Sequence, residues 1–451
     1  MSGARRTLKR FLTTSFVADS IPAEVSPAPD TPSATVIFGS RTLHRMLVAF
    51  TYRDFRVQWF GACTSSIGTW VQLTAQNWMV LSLTGSAFFL GLDSFLQQLP
   101  IMLFTLVGGV LADRHDRRRT LLGSQYMQMA TACVLALLVY TNSVTITHIL
   151  VLSFLTGLAQ AFGGPAYQSL VPSLVDKRDL PNAVALNSIQ FNVARVLGPL
   201  LFAATLSICA MWGIADQRAM AVCFAINAIS FLVVIYTLIS LRVKHIPPAQ
   251  QKSMRIELEG GIQYVRQNRV LMALIVLAAT TTFLGFALLT FLPLFTRSVF
   301  NAGADTYSHL LAFSGAGSVV GALVVAWLGK FKRMGLTSLL VQAVYGLLIV
   351  AFAFSRSIWL SDVLLFLTGA ALMVVFSTVT SLVQLSAPNE MRGRVMSIYM
   401  VAFRGGMPLG SLVSGWAATF VSAPTVLVVN GFLLVVVAIY FLVRSHGVRE
   451  I

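Results

Sequence analysis

Long uncharged runs alternate with short polar links along this chain. Twelve apolar segments can be marked, at 57–82, 87–111, 120–141, 146–170, 185–211, 219–241, 270–295, 306–328, 335–354, 358–384, 395–420 and 424–443. Each is close to the roughly 20 residues that an α-helix needs to cross a hydrocarbon core about 30 Å thick. Barrel strands would be half as long, at about 10 residues, and would alternate apolar with polar. These runs do neither. The pattern therefore predicts an all-α integral membrane protein with twelve transmembrane helices, since a helix satisfies its own backbone in lipid.

The links are of two kinds. "LTGSA", "TNSVTI" and "FVSAP" carry no cation, whereas "DRHDRRR", "VDKRDL", "GKFKR" and "EMRGR" are rich in them. Of the 32 Lys and Arg, 27 fall in the two tails and the even-numbered links. The odd-numbered links hold only Arg218, Arg297 and Arg356, and Arg195 and Arg404 lie within spans. The positive-inside rule then places both termini in the cytoplasm. The same placement accounts for a net charge of +16, so no nucleic-acid partner is expected. Composition agrees: 56% of residues are hydrophobic and 11% charged, against about 25% charged in soluble domains. Cys63, Cys133, Cys209 and Cys223 all sit in apolar runs and read as small hydrophobes. No cofactor motif, metal cluster or nucleophile–base pair is visible, and no phosphate-binding loop that would allow direct ATP drive. An enzyme is not expected.

The sixth link divides the spans into two sets of six. The expected organisation is a tail at 1–50, a first half at 51–241, a linker at 242–269, a second half at 270–443 and a tail at 444–451. The first tail begins with the basic "MSGARRTLKRFLTTSF" and continues through the Pro/Ala/Ser-rich "IPAEVSPAPDTPSA", a composition of disorder. In the linker, Met254, Leu258, Ile262 and Val265 recur at helical spacing, which predicts an amphipathic helix along the inner membrane surface. "SIQFNVAR" at 188–195 and "SIYMVAFR" at 397–404 match in Ser, Ile and Arg, and each runs on to a Gly/Pro pair. Their equivalence makes the two halves pseudo-symmetric, an architecture that encloses a midplane site in transporters.

The stretch "GGVLADRHDRRR" resembles the signature loop between the second and third helices of the major facilitator superfamily, through Gly109, Leu111, Asp113, Arg114, Arg117 and Arg118. "YQSLVPSLVDKRDLPNAVALNSIQFNVARVLGP" and "NEMRGRVMSIYMVAFRGGMPLG" are similar to the bacterial drug and siderophore exporter branch. The resemblance covers about residues 50–443. It implies a two-half helical transporter of the bacterial inner (cell) membrane working by alternating access, with proton-coupled efflux (antiport) of an amphipathic small molecule. It also implies a gate in which Gly109, Asp113, Arg114, Arg117 and Arg118 meet the start of the eleventh helix at Arg392 and Arg394. A cluster that only orients the helices is the alternative. The chain departs from the family at Asp116, usually Gly, at Gly157, where many proton-coupled members carry arginine, and in "GKFKRMG", which lacks the aspartate.

Charges inside a membrane are costly and default to function. Asp93, with Gln97 one turn on, is the proton-carrier candidate; a carboxylate wetted near the outer interface is the alternative. Arg195 and Arg404 can bind an anionic group or repel cations, or else snorkel to the headgroups. Ser65, Thr69, Gln72 and Gln76 form one polar stripe, and Ser377, Ser381 and Gln384 another. Both suit a cargo cavity or interhelical hydrogen bonds. The expected partners are a small-molecule substrate, protons and the lipid bilayer, with the chain a monomer. An importer of the same fold and a transport-inactive receptor are the other readings.

Overall fold

The computed structural model describes residues 47–114, 116–241, 254–329, 331–444 and 446–449, with side chains at all of these except 106–107, 109–114, 254–259 and 446. Residues 1–46 of the proposed tail at 1–50 and the start of the linker thus lie outside the described residues. So do the side chains of Asp113 and Arg114 and the surroundings of Gly109.

Helices account for the twelve apolar segments. The first six crossings are α1 (Arg53–Thr84), α2 (Ala87–Arg114), α3 (Arg117–Tyr140), α4 (Ile146–Leu170), α5 (Leu180–Met211) and α6 (Asp216–Ser240). A linker helix, α7 (Met254–Gln267), follows. The seventh crossing is divided into α8 (Arg269–Gly285) and α9 (Ala287–Ser298). The last five are α10 (Ala304–Leu328), α11 (Met334–Phe354), α12 (Ile358–Ser386), α13 (Arg392–Ala417) and α14 (Ala423–Arg444), with a short α15 (His446–Arg449). Ten crossings are long and apolar enough to span a membrane by length and composition alone, α8 and α9 together counting as one. The two that fall short are α1 and α13. Both carry charge at their starts and polar residues along their length, which lowers their hydropathy without shortening them.

Local chemistry sets the helix ends. Asp116 caps α3, accepting from the Arg118 and Arg119 amides at 2.9 and 3.3 Å. This gives a structural use to the residue that departs from the family pattern. Thr145 and His148 form a capping box on α4, and Asn268 caps α8. Gly85 ends α1 in the left-handed region at φ 61°, which glycine adopts without Cβ strain.

The two halves repeat one packing scheme. In the first, α1 packs on α5 and α6, α2 on α4, and α3 on α4 and α6. In the second, α8 packs on α13 and α14, α10 on α12, and α11 on α12 and α14. The halves meet along α2–α13 and α5–α10. Small residues permit the close crossings. A Cβ on Gly317 or Gly321 would strike the α12 backbone at Phe366 or Ala370, and one on Gly406 or Gly410 would strike α8.

The linker helix also packs on the second half. Val265 is buried in the second half's apolar core, and the Cβ position of Gly261 meets Arg394 and Ile398 on α13. Ile262 remains exposed.

Candidate functional site

The molecule has a basic end, where the cationic links lie, and a neutral end. Four apolar clusters show how the halves sit at each. At the basic end one cluster joins Phe55, Leu121, Leu170, Leu186 and Leu238, all from the first half. Another joins Leu271, Met334, Leu382 and Val395, all from the second. At the neutral end both clusters cross over. Trp78 of α1 and Ala87 of α2 pack into the second half's core beside Phe291 and Tyr307. Leu294 and Ala304 pack into the first half's core beside Val80 and Phe224. Polar contacts follow suit: Asn77 Nδ2 donates to Tyr307 OH at 3.3 Å, Trp78 stacks on Tyr307 with centroids 5.9 Å apart, and Arg297 donates to the Leu81 carbonyl at 3.4 Å. The halves are thus sealed at the neutral end, and the apolar cores part at the basic end.

The described members of the proposed gate bond within their own halves. Arg117 donates to the Ser169 carbonyl at 3.1 Å and Arg118 to the Ile239 carbonyl at 2.5 Å. These are the last carbonyls of α4 and α6, the negative ends of the helix dipoles. Arg392 donates to the Gln384 carbonyl of α12 at 3.0 Å. Arg394 sits under α7 and contacts the Met391 sulfur. The bonds of Arg117, Arg118 and Arg392 each stay within one half.

Asp93 is not wetted near an interface. It is 2% exposed and enclosed by α1, α2 and α4. Ser153 Oγ donates to Asp93 Oδ1 at 2.5 Å, and Gln76 Nε2 donates to Oδ2 at 2.8 Å. Gln76 Nε2 also reaches Ser153 Oγ at 2.8 Å, closing the triangle. Three helices are therefore tied together at one carboxylate through charge-assisted bonds, the stronger kind. Gln97, one turn from Asp93, is half-buried, and its carbonyl occupies the place where a Cβ of Gly157 would be. The missing family arginine at Gly157 is explained by this contact: α2 and α4 cross too closely there for any side chain.

The α1 polar stripe turns inward, toward its own half. Gln72 Oε1 accepts from Asn227 Nδ2 of α6 at 2.7 Å, Gln76 serves Asp93, Ser65 is buried, and Thr69 bonds back to the Ser65 carbonyl at 2.8 Å. The neighbouring stripe of Ser66, Trp70 and Asn77 faces α5 and the other half instead. Ser66 Oγ accepts from Gln190 at 2.7 Å, Trp70 lies against Phe191 at 6.0 Å, and Asn77 meets Tyr307. On α12, Ser381 and Gln384 line a recess of about 330 Å³ at the basic end with Gly329, Met334, Leu385 and Arg392. Ser377 accepts from Ser381 Oγ through its carbonyl at 2.9 Å.

Arg195 and Arg404 sit halfway along α5 and α13. Arg195 is half-buried, its guanidinium 5.9 Å from the Trp70 ring and its Nε without a partner. Arg404 is exposed. Neither forms an ion pair with a described residue.

One titratable pair was missed by sequence reasoning. His309 Nδ1 of α10 lies 3.4 Å from Asp362 Oδ1 of α12, with Asp362 buried. It spans the helix pair equivalent to α2 and α4, near the same end as Asp93 and Ser153. Only the pseudo-symmetric pairing of helices reveals it, because the two residues are far apart in sequence.

A family model described as transmembrane secretion effector matches residues 46–449. The staphyloferrin A transporter of Staphylococcus aureus is 25% identical over 351 residues, covering 77% of this chain and 85% of that protein. Macrolide efflux protein A of Streptococcus pyogenes is 24% identical over 397 residues, covering 85% and 94% respectively. In fold, the chain is similar to a bacterial homologue of the human lysosomal transporter Spinster in an inward-facing, occupied conformation, with a TM-score of 0.69, 13% identity, and coverage of 87% of this chain and 97% of that one.

Proposed function

We propose, from the premise that this chain belongs to the transmembrane secretion effector family of the major facilitator superfamily, that it exports an amphipathic small molecule in exchange for protons. The family makes it a membrane transporter and not an enzyme. Relatives named for a siderophore and for a macrolide point to a metal-chelating metabolite or drug-like compound as cargo. The basic end faces the cytoplasm by the positive-inside rule. The observation that carries alternating access is the asymmetry of the apolar clusters, crossed at the neutral end and separate at the basic end. A cleft open to the cytoplasm is the state in which cytoplasmic cargo can load, and the macrolide efflux relative supports the outward direction. Closing it requires the basic end to seal, which is the task of Asp113 and the arginines around it with α13, and breaking the contacts of Tyr307 at the neutral end.

Asp93 carries the proton in this account. Gln76 Nε2 can only donate, so Oδ2 is occupied by a donor in both states. A proton must then sit on Oδ1, and the Ser153 hydroxyl, which both donates and accepts, turns from donor to acceptor. Protonation thereby loosens the charge-assisted bonds that tie α2 to α1 and α4, and α2 is the helix that meets α13 of the other half.

The test is transport by inverted membrane vesicles, whose outer face is cytoplasmic. With an acidic lumen, vesicles bearing the chain accumulate a siderophore or macrolide, a protonophore abolishes the accumulation, and Asp93→Asn loses the response to the gradient. Accumulation indifferent to the gradient refutes the coupling, and export of preloaded cargo from the lumen instead makes the chain an importer.

A further inference from the structure

Arg195 and Arg404 are unlike the other cations of the chain. They occupy equivalent positions in the repeated segments 188–195 and 397–404, each at the middle of a helix that joins the two halves. Arg404 is twelve residues beyond Arg392, about 18 Å along the axis at roughly 1.5 Å per residue. That is further than an arginine side chain reaches, so snorkelling does not bring it to the headgroups. An exposed guanidinium at that depth is tolerable only against water or protein, not against hydrocarbon. It therefore faces the cleft. Arg195 stands where α1, α5 and α10 meet: its carbonyl lies against Gly315 of α10 and its guanidinium against Trp70 of α1. Trp70 belongs to the stripe that, at Asn77, touches the other half.

Within the described spans no carboxylate answers these two charges. Asp93 is bonded to Gln76 and Ser153 inside the first half. Asp362 is buried beside His309 inside the second. Of the other carboxylates on these helices, Asp54, Asp216 and Asp305 lie in first turns, Asp113 lies in the last turn of α2 and Glu257 and Glu259 lie on the linker helix. The cleft thus presents two fixed cations with aromatic neighbours in Trp70 and Phe191, and its own acids are turned away.

We infer that the cargo is an organic anion with an aromatic or amphipathic body, its negative group held by Arg404 and Arg195 and its ring by Trp70. This rests on the exporter reading and narrows it. A cation of the same shape meets two like charges in a cleft with apolar walls, where repulsion is stronger than in bulk water. Guanidinium also offers the paired donors that suit a carboxylate, and lysine does not reproduce that geometry.

The test uses two dyes built on one xanthene frame with opposite charge, fluorescein and rhodamine 6G, binding to the full chain in nanodiscs and followed by fluorescence anisotropy. Fluorescein is expected to bind more tightly than rhodamine 6G. Arg404→Gln and Arg195→Gln each weaken fluorescein about ten- to a hundredfold, the loss expected for one charge-assisted hydrogen bond. Arg404→Lys keeps part of the affinity, and both glutamine variants bind rhodamine 6G as well as or better than the parent. Thermal unfolding of each variant at the parent temperature separates lost binding from lost folding. A parent that prefers rhodamine 6G, or fluorescein affinity unchanged in both glutamine variants, overturns the inference. Failure of both dyes to bind also overturns it as stated for aromatic anions. The vesicle assay with imposed gradients reads the exporter function independently of either dye.

Discussion

Trp78→Ala should open the neutral gate. Trp78 stacks on Tyr307 across the halves and packs against the apolar clusters of both. An aromatic pair contributes about 0.5–1.5 kcal/mol beyond its buried area. Half-burial of the indole against the opposite half adds roughly another 1–1.5 kcal/mol at about 25 cal/mol per Å². The sealed state should lose about 1.5–3 kcal/mol relative to the state with the neutral end open, a shift of roughly 10- to 150-fold in the ratio of the two. Tyr307→Phe removes only the 3.3 Å bond from Asn77, so its effect should be about two- to fivefold, at the low end for a hydrogen bond. Spin labels on cysteines replacing Asn142 and Ser357, in a background without the four native cysteines, report the separation of the halves at the neutral end by double electron–electron resonance. The longer-distance population should rise strongly in Trp78→Ala and modestly in Tyr307→Phe. An unchanged distribution in Trp78→Ala, with the protein folded, would mean that this contact does not hold the gate.

Other outcomes follow from single contacts. Gly157→Val should push α2 from α4 and lower thermal stability by about 1–3 kcal/mol, the range for overpacking. Gly164→Ala in the same helix, where a Cβ meets nothing within 4 Å, should be neutral or stabilising. Ser153→Ala leaves Asp93 Oδ1 without its donor and should change the pH dependence of transport, while Ser124→Ala, which bonds only within the first half at the Ala159 carbonyl and Gln128, should leave it unchanged. His309→Ala leaves the buried Asp362 without the imidazole 3.4 Å from its Oδ1, so it should lower the unfolding temperature more than Asp362→Asn does, and the double variant should recover part of the loss. Tyr52 donates to Asp179 at 2.7 Å and Asp176 at 2.9 Å, and the bond to Asp179 is the main reason that its phenol is held above its ordinary value near 10. The contribution is present below pH 10 and is lost as pH rises through the raised value. Difference absorbance of phenolate against Tyr52→Phe should place that titration above pH 10.

The crossings were legible because each is a long run with one composition, and a helix in lipid needs little more. The cation distribution marked the two ends for the same reason: charges are few and each link holds its share. What sequence could not settle was the facing of polar stripes. Ser65, Thr69, Gln72 and Gln76 share a helix face, but spacing does not say whether that face looks to the cleft or to α6 and α4. Asn227, Asp93 and Ser153, contributed by other helices, decide it. Gly157 illustrates the opposite case. As a departure from a family pattern it suggested a missing function, yet its cause is steric and sits on another helix at the Gln97 carbonyl. Trp78, Tyr307 and the His309–Asp362 pair escaped notice because their meaning depends on which helices of the two halves touch.

The most direct test of the two-ended cleft is labelling by a membrane-impermeant maleimide applied separately to each face of the membrane, with single cysteines at Ser381 and Asn77. At rest, Ser381→Cys should react from the cytoplasmic face and Asn77→Cys should be protected from the outer face. Cargo with an imposed proton gradient should reverse both. Resting reactivity of Asn77→Cys from outside with Ser381→Cys protected, or no reciprocal change under turnover, would contradict the account.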